Sequence, residues 1–123
     1  MYKQKSSEDY LEAILVIQKE KGSCRSIDVA SHLGYSKPSV SIAMGKLQSM
    51  GLVIKHDDGH LELTEEGRNL AEDILHKHHF LVSFFLHMGV SPETAEEDAC
   101  LIEHSLSDET YEKLRAWFDK NAN

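Results

Sequence analysis

The chain has 123 residues, of which 41% are hydrophobic and 28% charged, and its formal net charge is −8. This length is about that of one domain, and the hydrophobic content is too high for a disordered chain. No apolar run approaches the ~18 residues of a membrane span, and residues 1–10 contain no apolar signal segment. We therefore expect a cytoplasmic protein, with no membrane association, whose Cys24 and Cys100 are reduced thiols.

The negative charge is distributed unevenly along the chain. Residues 1–70 contain nine basic and ten acidic residues, a net charge of −1, whereas residues 71–123 contain four and eleven, a net charge of −7. The stretch 25–56 is locally basic, with a net charge of +3. This asymmetry predicts two domains, residues 1–70 and residues 71–123, with different tasks.

The first half of the chain predicts three helices and a two-stranded hairpin. Each helix begins at a hydroxyl side chain that can cap free backbone N–H groups, and each ends near a glycine, which accepts a left-handed backbone. Asp58-Gly59 is a strong hairpin signal between two β-prone runs. The predicted starts and stops are Ser7 and Gly22, Ser26 and Gly34, and Ser36 and Gly51, with Pro38 in the first turn of the third helix and Val40, Ile42, Met44 and Leu47 as its apolar contacts.

The second half predicts three further helices. They start after Thr64, at Ser91 and at Ser107, and are expected to reach about Met88, Leu106 and Phe118. The first of them carries an apolar stripe that suits a core or a dimer interface. That stripe consists of Leu81, Phe84, Phe85 and Met88.

The order helix, helix, tight turn, helix and hairpin is typical of a winged helix-turn-helix domain, whose third helix enters the DNA major groove. Hydroxyl and lysine side chains on that helix suit phosphates and base edges. The hairpin tip, residues 56–60, carries two acids, so we expect it near the DNA backbone without base contacts. The predicted DNA-contacting residues are Arg25, Ser36, Lys37, Pro38, Ser39, Ser41 and Lys46.

A second group of residues suits a metal ion. Cys100, Glu103 and His104 have a spacing that places a thiolate, a carboxylate and an imidazole on one helix face, which is half of a metal site. Asp9 and Glu12 place two carboxylates on one face of the first helix in the same way. These patterns also fit a solvated acidic face and a small buried cysteine.

The long helix adds three histidines, His76, His78 and His79, and spacing alone does not choose between them as a further ligand or as surface residues. His32, His60 and His87 are treated as non-ligands.

The residues do not indicate an enzyme. The segment from Cys100 to His104 departs from the H-x-x-E-H zinc-protease signature at its first position, and the sequence has no phosphate-binding loop or nucleophile elbow. Two alternatives to a metal-dependent regulator stay open. One is a winged-helix regulator that senses a small organic ligand or thiol redox state through Cys24 or Cys100, and the other is a protein-interaction module that binds no DNA.

The chain resembles the diphtheria-toxin-repressor family of metal-dependent transcriptional regulators, and within it the manganese-transport-regulator branch. The resemblance implies a mainly α protein with an N-terminal winged helix-turn-helix, including a two-stranded wing, and a C-terminal helical dimerisation domain. The SH3-like domain of the larger members is expected to be absent. The matching stretches are 7–14, 36–41 with 46–47, 51–53, 61–67 and 103–107.

The resemblance also implies a ligand set. By position, a paired-metal site of the manganese branch would consist of Asp9, Glu12, His78, Cys100, Glu103 and His104. The manganese branch has Glu where Cys100 stands, and the iron branch has Cys there but Met at the position of Asp9. Val82 occupies the place of a glutamate in the iron branch's second site, which argues against that site here.

The function implied by the resemblance is that of a homodimeric repressor of manganese or iron uptake genes that binds a palindromic DNA operator. Oxygen-rich sites suit Mn²⁺, whereas a thiolate favours softer ions, so Mn²⁺ or Fe²⁺ is the expected signal, with Zn²⁺, Co²⁺ or Ni²⁺ as substitutes. Replacement of a bidentate carboxylate by Cys100 is expected to weaken a second metal position.

Overall fold

The structure is a computed structural model that describes residues 2–122, with side chains from residue 7. The chain divides into two compact units, one from Tyr2 to Asp73 and one that begins at Ile74. Within the described residues, no helix is both long and apolar enough to cross a bilayer. The elements in chain order are α1 (Tyr2–Lys21), α2 (Ser26–Leu33), α3 (Lys37–Ser49), β1 (Val53–Lys55), β2 (Leu61–Leu63), α4 (Glu65–His87), α5 (Pro92–Ile102) and α6 (Asp108–Asn121).

The N-terminal unit is the predicted winged helix. Helices α1, α2 and α3 pack on one another, and the antiparallel β1–β2 hairpin packs on α1 and α3. Gly34 adopts a φ of +73° at the tight turn, and the Ser36 hydroxyl accepts a hydrogen bond from the Ser39 backbone N–H, as predicted for the start of α3. The core formed in this way includes Leu11, Ile14, Leu15, Val29, Val40, Met44, Leu47, Leu61 and Leu63.

The C-terminal unit is built from the greater part of α4 together with α5 and α6. Ala95 and Ala99 of α5 are fully buried, which permits close helix packing. The rings of Phe80 and Phe84 of α4 pack edge-on against Phe118 of α6. The residues of the predicted apolar stripe differ in burial. Leu81 is buried, Phe84 and Phe85 are half-buried, and Met88 is 65% exposed.

Several predicted details of the helices are wrong. Ser7 does not cap α1, which already begins at Tyr2. Residues 2–6 contain no glycine or proline that would prevent a helix there. Arg25, and not Ser26, precedes the first turn of α2, and its backbone N–H donates to Asp28. Ile42 is 68% exposed, because helical spacing places it on the opposite side of α3 from buried Val40.

The structure also differs from the sequence prediction at the end of α5, and this difference affects the residues of the candidate metal site. The helix ends at Ile102, and the following turn is closed by hydrogen bonds from the Ser105 and Leu106 backbone N–H groups to the Ile102 carbonyl. The Ser107 hydroxyl then caps α6 by accepting from the Thr110 backbone N–H. Residues 103–107 are therefore a connection between two helices, whereas the sequence predicted a helix as far as Leu106. Helix α6 also continues beyond the predicted Phe118, to Asn121.

Gly67 of α4 lies against the backbone of Leu52, the residue before β1, and substitution can test this contact. A Cβ at Gly67 would overlap the Leu52 carbonyl oxygen and lie 2.9 Å from the carbonyl carbon, whereas a Cβ at Gly45 of α3 would meet nothing within 4 Å. We expect Gly67→Ala to lower the free energy of unfolding by about 1–3 kcal/mol through overpacking. Gly45→Ala should raise it by about 0.5–1 kcal/mol, because alanine loses less backbone entropy on folding. Urea unfolding measures both, and equal effects would contradict this packing.

Candidate metal centre and nucleic-acid interface

The centre of the candidate metal site is Glu103, whose side chain is 1% exposed. Its Oε1 atom lies 2.7 Å from Nδ1 of His78, and its Oε2 atom lies 3.4 Å from Nε2 of His104. His78 comes from the middle of α4, while Glu103 and His104 begin the connection after α5. A buried carboxylate is costly unless it is paired, so these two imidazoles account for its position.

Two further side chains of α5 approach His78. A carboxylate oxygen of Glu96 lies 3.0 Å from the Nε2 atom of His78, and the Sγ atom of Cys100 lies 4.0 Å from its Nδ1 atom. Cys100 is exposed, so its interpretation as a small buried apolar residue is wrong. Both nitrogens of His78 therefore face carboxylates, and the thiol lies beside one of them.

Sequence reasoning missed Glu96, although a signal was present. Residues 96, 100 and 103 have the i, i+4, i+7 spacing of a single helix face. Only positions 100, 103 and 104 were predicted as ligands on this helix. Glutamates are common on solvated helix faces, so residue type alone did not single out Glu96.

The structure also distinguishes the three neighbouring histidines of α4. His76 and His79 are exposed, whereas the side chain of His78 is 13% exposed and contacts Glu103. The other predicted ligands, Asp9 and Glu12, lie one helical turn apart on α1 of the N-terminal unit, and both are half-buried. Their carboxylates therefore share a face of α1, as the sequence predicted.

The donor set of the C-terminal unit fits a divalent transition metal. His78 and His104 offer imidazole nitrogens, Glu103 offers carboxylate oxygens, and Cys100 offers a thiol at the edge of the group. Imidazole and carboxylate together suit Mn²⁺ and Fe²⁺, and a thiolate adds preference for softer ions. A cation between these groups would also compensate the buried charge of Glu103.

The candidate nucleic-acid interface lies on α3 of the N-terminal unit. All of its predicted contact residues on and before that helix are exposed. Ile42 is exposed among them, and apolar contact with thymine methyl groups is a known form of base readout. Sequence reasoning missed this exposed position because it assigned Ile42 to the core. The exposed predicted residues are Ser36, Lys37, Pro38, Ser39, Ser41 and Lys46.

Arg25 also has a role within its own unit. It forms an isolated antiparallel bridge with His60, and its guanidinium donates a hydrogen bond to the Asp58 carbonyl at the wing tip. The Asp58 carboxylate accepts from the His60 backbone N–H, which together with the His60 side chain holds its pKa below the usual range. Arg25 therefore braces the wing, and its predicted DNA contact stays a prediction.

Both units match known domains. Residues 4–61 match the iron dependent repressor N-terminal DNA binding domain, and residues 64–122 match the iron dependent repressor metal binding and dimerisation domain. The chain belongs to this family of metal-dependent transcriptional regulators. This result confirms the family and the fold class that the sequence predicted.

Individual relatives agree with this assignment. The transcriptional regulator MntR of Escherichia coli O6:H1 is 37% identical over 114 residues, which cover 93% of this chain and 74% of MntR. The structure of the manganese regulator SloR superposes with a TM-score of 0.80 at 28% identity, and that of ScaR with bound Zn²⁺ with a TM-score of 0.74 at 31% identity. Each match covers 92% of this chain and 53% of the solved one, so the chain spans about half the length of these structures.

The two cysteines should differ sharply in reactivity. Burial raises the pKa of the Cys24 thiol to about 11, whereas Cys100 is exposed. Because the thiolate is the nucleophile, a pKa raised by about two units lowers the reactive fraction of Cys24 about 10²-fold at neutral pH. We expect a thiol reagent at pH 7.5 to label one cysteine per folded chain quickly and the second only after unfolding. Cys100→Ser should remove the fast reaction and Cys24→Ser should leave it; fast labelling of both would contradict the burial of Cys24.

Proposed function

We propose that this protein is a metal-activated, DNA-binding repressor of genes for manganese or iron uptake, and that it acts as a homodimer on a palindromic operator. The observation that carries the proposal is the buried carboxylate of Glu103 between His78 and His104, in a domain that matches a metal binding and dimerisation family. Binding to a chromosomal operator places its action in the cytoplasm. The proposal assigns no catalytic residue.

The proposed ligand set follows the resemblance and is supported in part by the local geometry. His78, Cys100, Glu103 and His104 lie together within the C-terminal unit. Asp9 and Glu12 on α1 are proposed to complete the set, as the resemblance implies. Arg25, Ser36, Lys37, Pro38, Ser39, Ser41 and Lys46 are the proposed DNA contacts, and Ile42 is added to them.

The proposed ligands explain how a metal would control DNA binding. Without a cation, the carboxylates of Asp9, Glu12 and Glu103 would repel one another if brought together. A divalent ion would replace that repulsion with coordination and fix each winged helix relative to the dimer. Two recognition helices then fit successive major grooves when they are separated by ~34–36 Å or a multiple of it. A coupling of ~1–3 kcal/mol would tighten operator binding by ~5–150-fold.

Mn²⁺ or Fe²⁺ is the proposed physiological signal, and Zn²⁺, Co²⁺ or Ni²⁺ are proposed substitutes. The relative SloR is a manganese regulator, and the relative ScaR was solved with Zn²⁺, a softer ion. The acidic and imidazole ligands suit Mn²⁺, while Cys100 shifts the preference towards softer ions.

The first test measures metal uptake and operator binding together. Calorimetry should show stoichiometric Mn²⁺ binding by the wild-type protein, and gel shifts with a palindromic operator should show binding that is tighter by ~5–150-fold with Mn²⁺. His104→Ala should abolish this gain, because it removes a proposed ligand.

His76→Ala is the matched control, because it makes the same chemical change at an exposed position of the same unit. It should keep the response to Mn²⁺. Equal operator affinity with and without metal in the wild-type protein would refute metal activation. Specific operator binding that tightens with a small organic ligand or with oxidation instead would support a different sensing mechanism.

Cys100 provides a test of metal selectivity. Replacing its thiol with a carboxylate exchanges a soft ligand for a hard one. We expect Cys100→Glu to lower the ratio of Co²⁺ affinity to Mn²⁺ affinity by about 10-fold, measured by calorimetry under reducing conditions. An unchanged ratio would mean that Cys100 does not bind the metal.

A further inference from the structure

A buried lysine lies directly beside the proposed ligand His78. Lys77 is only 8% exposed, although lysine is among the residues most rarely buried. Its Nζ atom donates a hydrogen bond to the Leu106 carbonyl at 3.0 Å and lies 3.0 Å from a carboxylate oxygen of Asp108. It also lies 5.9 Å from the centre of the Tyr111 ring, within reach of a cation–π interaction.

These contacts fall at one end of the connection between α5 and α6. The Glu103 backbone N–H still donates to the Ala99 carbonyl, as in a helix, but residues 103–107 belong to neither α5 nor α6, so contacts from other segments also fix their position. At the near end, His78 contacts Glu103 at 2.7 Å. At the far end, Lys77 holds Leu106 and Asp108. Two consecutive residues of α4 therefore secure both ends of the segment that carries two proposed metal ligands.

We propose that Lys77 is a positioning residue for metal binding: it holds the 103–107 connection and the first residue of α6, so that Glu103 and His104 are kept in a geometry ready for a divalent cation. The inference rests on the proposed metal-binding function. It adds a residue that makes no contact with the metal itself and that neither the sequence pattern nor the resemblance singled out. Groups behind the first ligands commonly control metal affinity by 10–100-fold, because they limit how far a ligand can move.

The direction in which metal affinity changes when Lys77 is replaced distinguishes a positioning role from a purely electrostatic one. Lys77 carries a positive charge, so its removal would by Coulomb's law make the surroundings more attractive to a metal cation. Loss of positioning has the opposite effect and weakens binding. Lys77→Met, which keeps the apolar stem and removes the charge and both polar contacts, therefore distinguishes the two.

The test is calorimetric titration of the full chain with Mn²⁺ alone, after circular dichroism has verified that each variant is folded. We expect Lys77→Met to raise the Kd for Mn²⁺ about 10-fold. Lys77→Arg, which retains a cation that can donate to Leu106 and Asp108, should restore the Kd to within about 3-fold of the wild-type value. Lys113→Met removes an exposed lysine of α6 and should leave the Kd unchanged.

Asp108→Asn, compared with Glu109→Gln, keeps the test decisive if Lys77→Met does not fold. Each change removes one exposed negative charge of α6, but only Asp108→Asn removes a contact with Lys77, so only it should raise the Kd beyond the effect of charge. The side chain of Asp108 is 82% exposed, so this change removes the ion pair with little effect on packing, and it should raise the Kd about 3-fold. A folded Lys77→Met variant with an unchanged or lower Kd overturns the inference, as does an unchanged Asp108→Asn variant where Lys77→Met is unfolded. A wild-type protein that binds no Mn²⁺ or Co²⁺ overturns the proposed function itself.

Discussion

A carboxylate that leaves water must recover its lost solvation, and in this protein Glu103 does so through imidazoles. Its 1% exposed side chain lies between His78 and His104, which belong to different segments of the C-terminal unit. Leaving a buried polar group without its hydrogen-bond partner typically costs about 1–3 kcal/mol, and more when the group is charged. The same group of atoms that satisfies Glu103 is a set of potential metal donors, so structural stability and the proposed metal recognition depend on one cluster.

The distribution of charge fits a division between sensing and DNA binding. Most of the net charge of −8 lies in the C-terminal half, and the stretch that includes α3 is locally positive. Phosphate contacts from lysines and from a helix N-terminus set position on DNA, while base contacts set sequence preference. A bound divalent cation would also reduce the repulsion between an acidic protein and the DNA backbone.

Helix α5 combines features that the resemblance assigns to the manganese and iron branches of the family. By the resemblance, Cys100 occupies a position where the manganese branch has a carboxylate. Glu96, one turn earlier on the same face of α5, brings a carboxylate to His78. The α5 face thus keeps an acidic group next to the histidine although the expected position carries a thiol. The exposure of Cys100 is consistent with a ligand at the edge of a site and not with a residue kept for packing.

The winged helix could be predicted from the sequence because its signals are local. Gly34 at a left-handed turn, Ser36 at the start of α3 and Asp58-Gly59 in the hairpin act through backbone conformation over three or four residues. The spacing of Cys100, Glu103 and His104 likewise indicated a metal half-site. The family resemblance, and not spacing, selected His78 from its neighbours.

Burial and long-range contacts were decided by the tertiary structure. Glu103 is buried and Glu96 reaches His78, although helical spacing by itself indicates neither the burial of the one nor the contact partner of the other. The end of α5 at Ile102 was also not predictable, because the connection that follows contacts a distant segment: Lys77, about thirty residues earlier, donates to the Leu106 carbonyl and pairs with Asp108. Local sequence specifies where a backbone turns, whereas the surroundings of a side chain are set by residues that only folding brings near it.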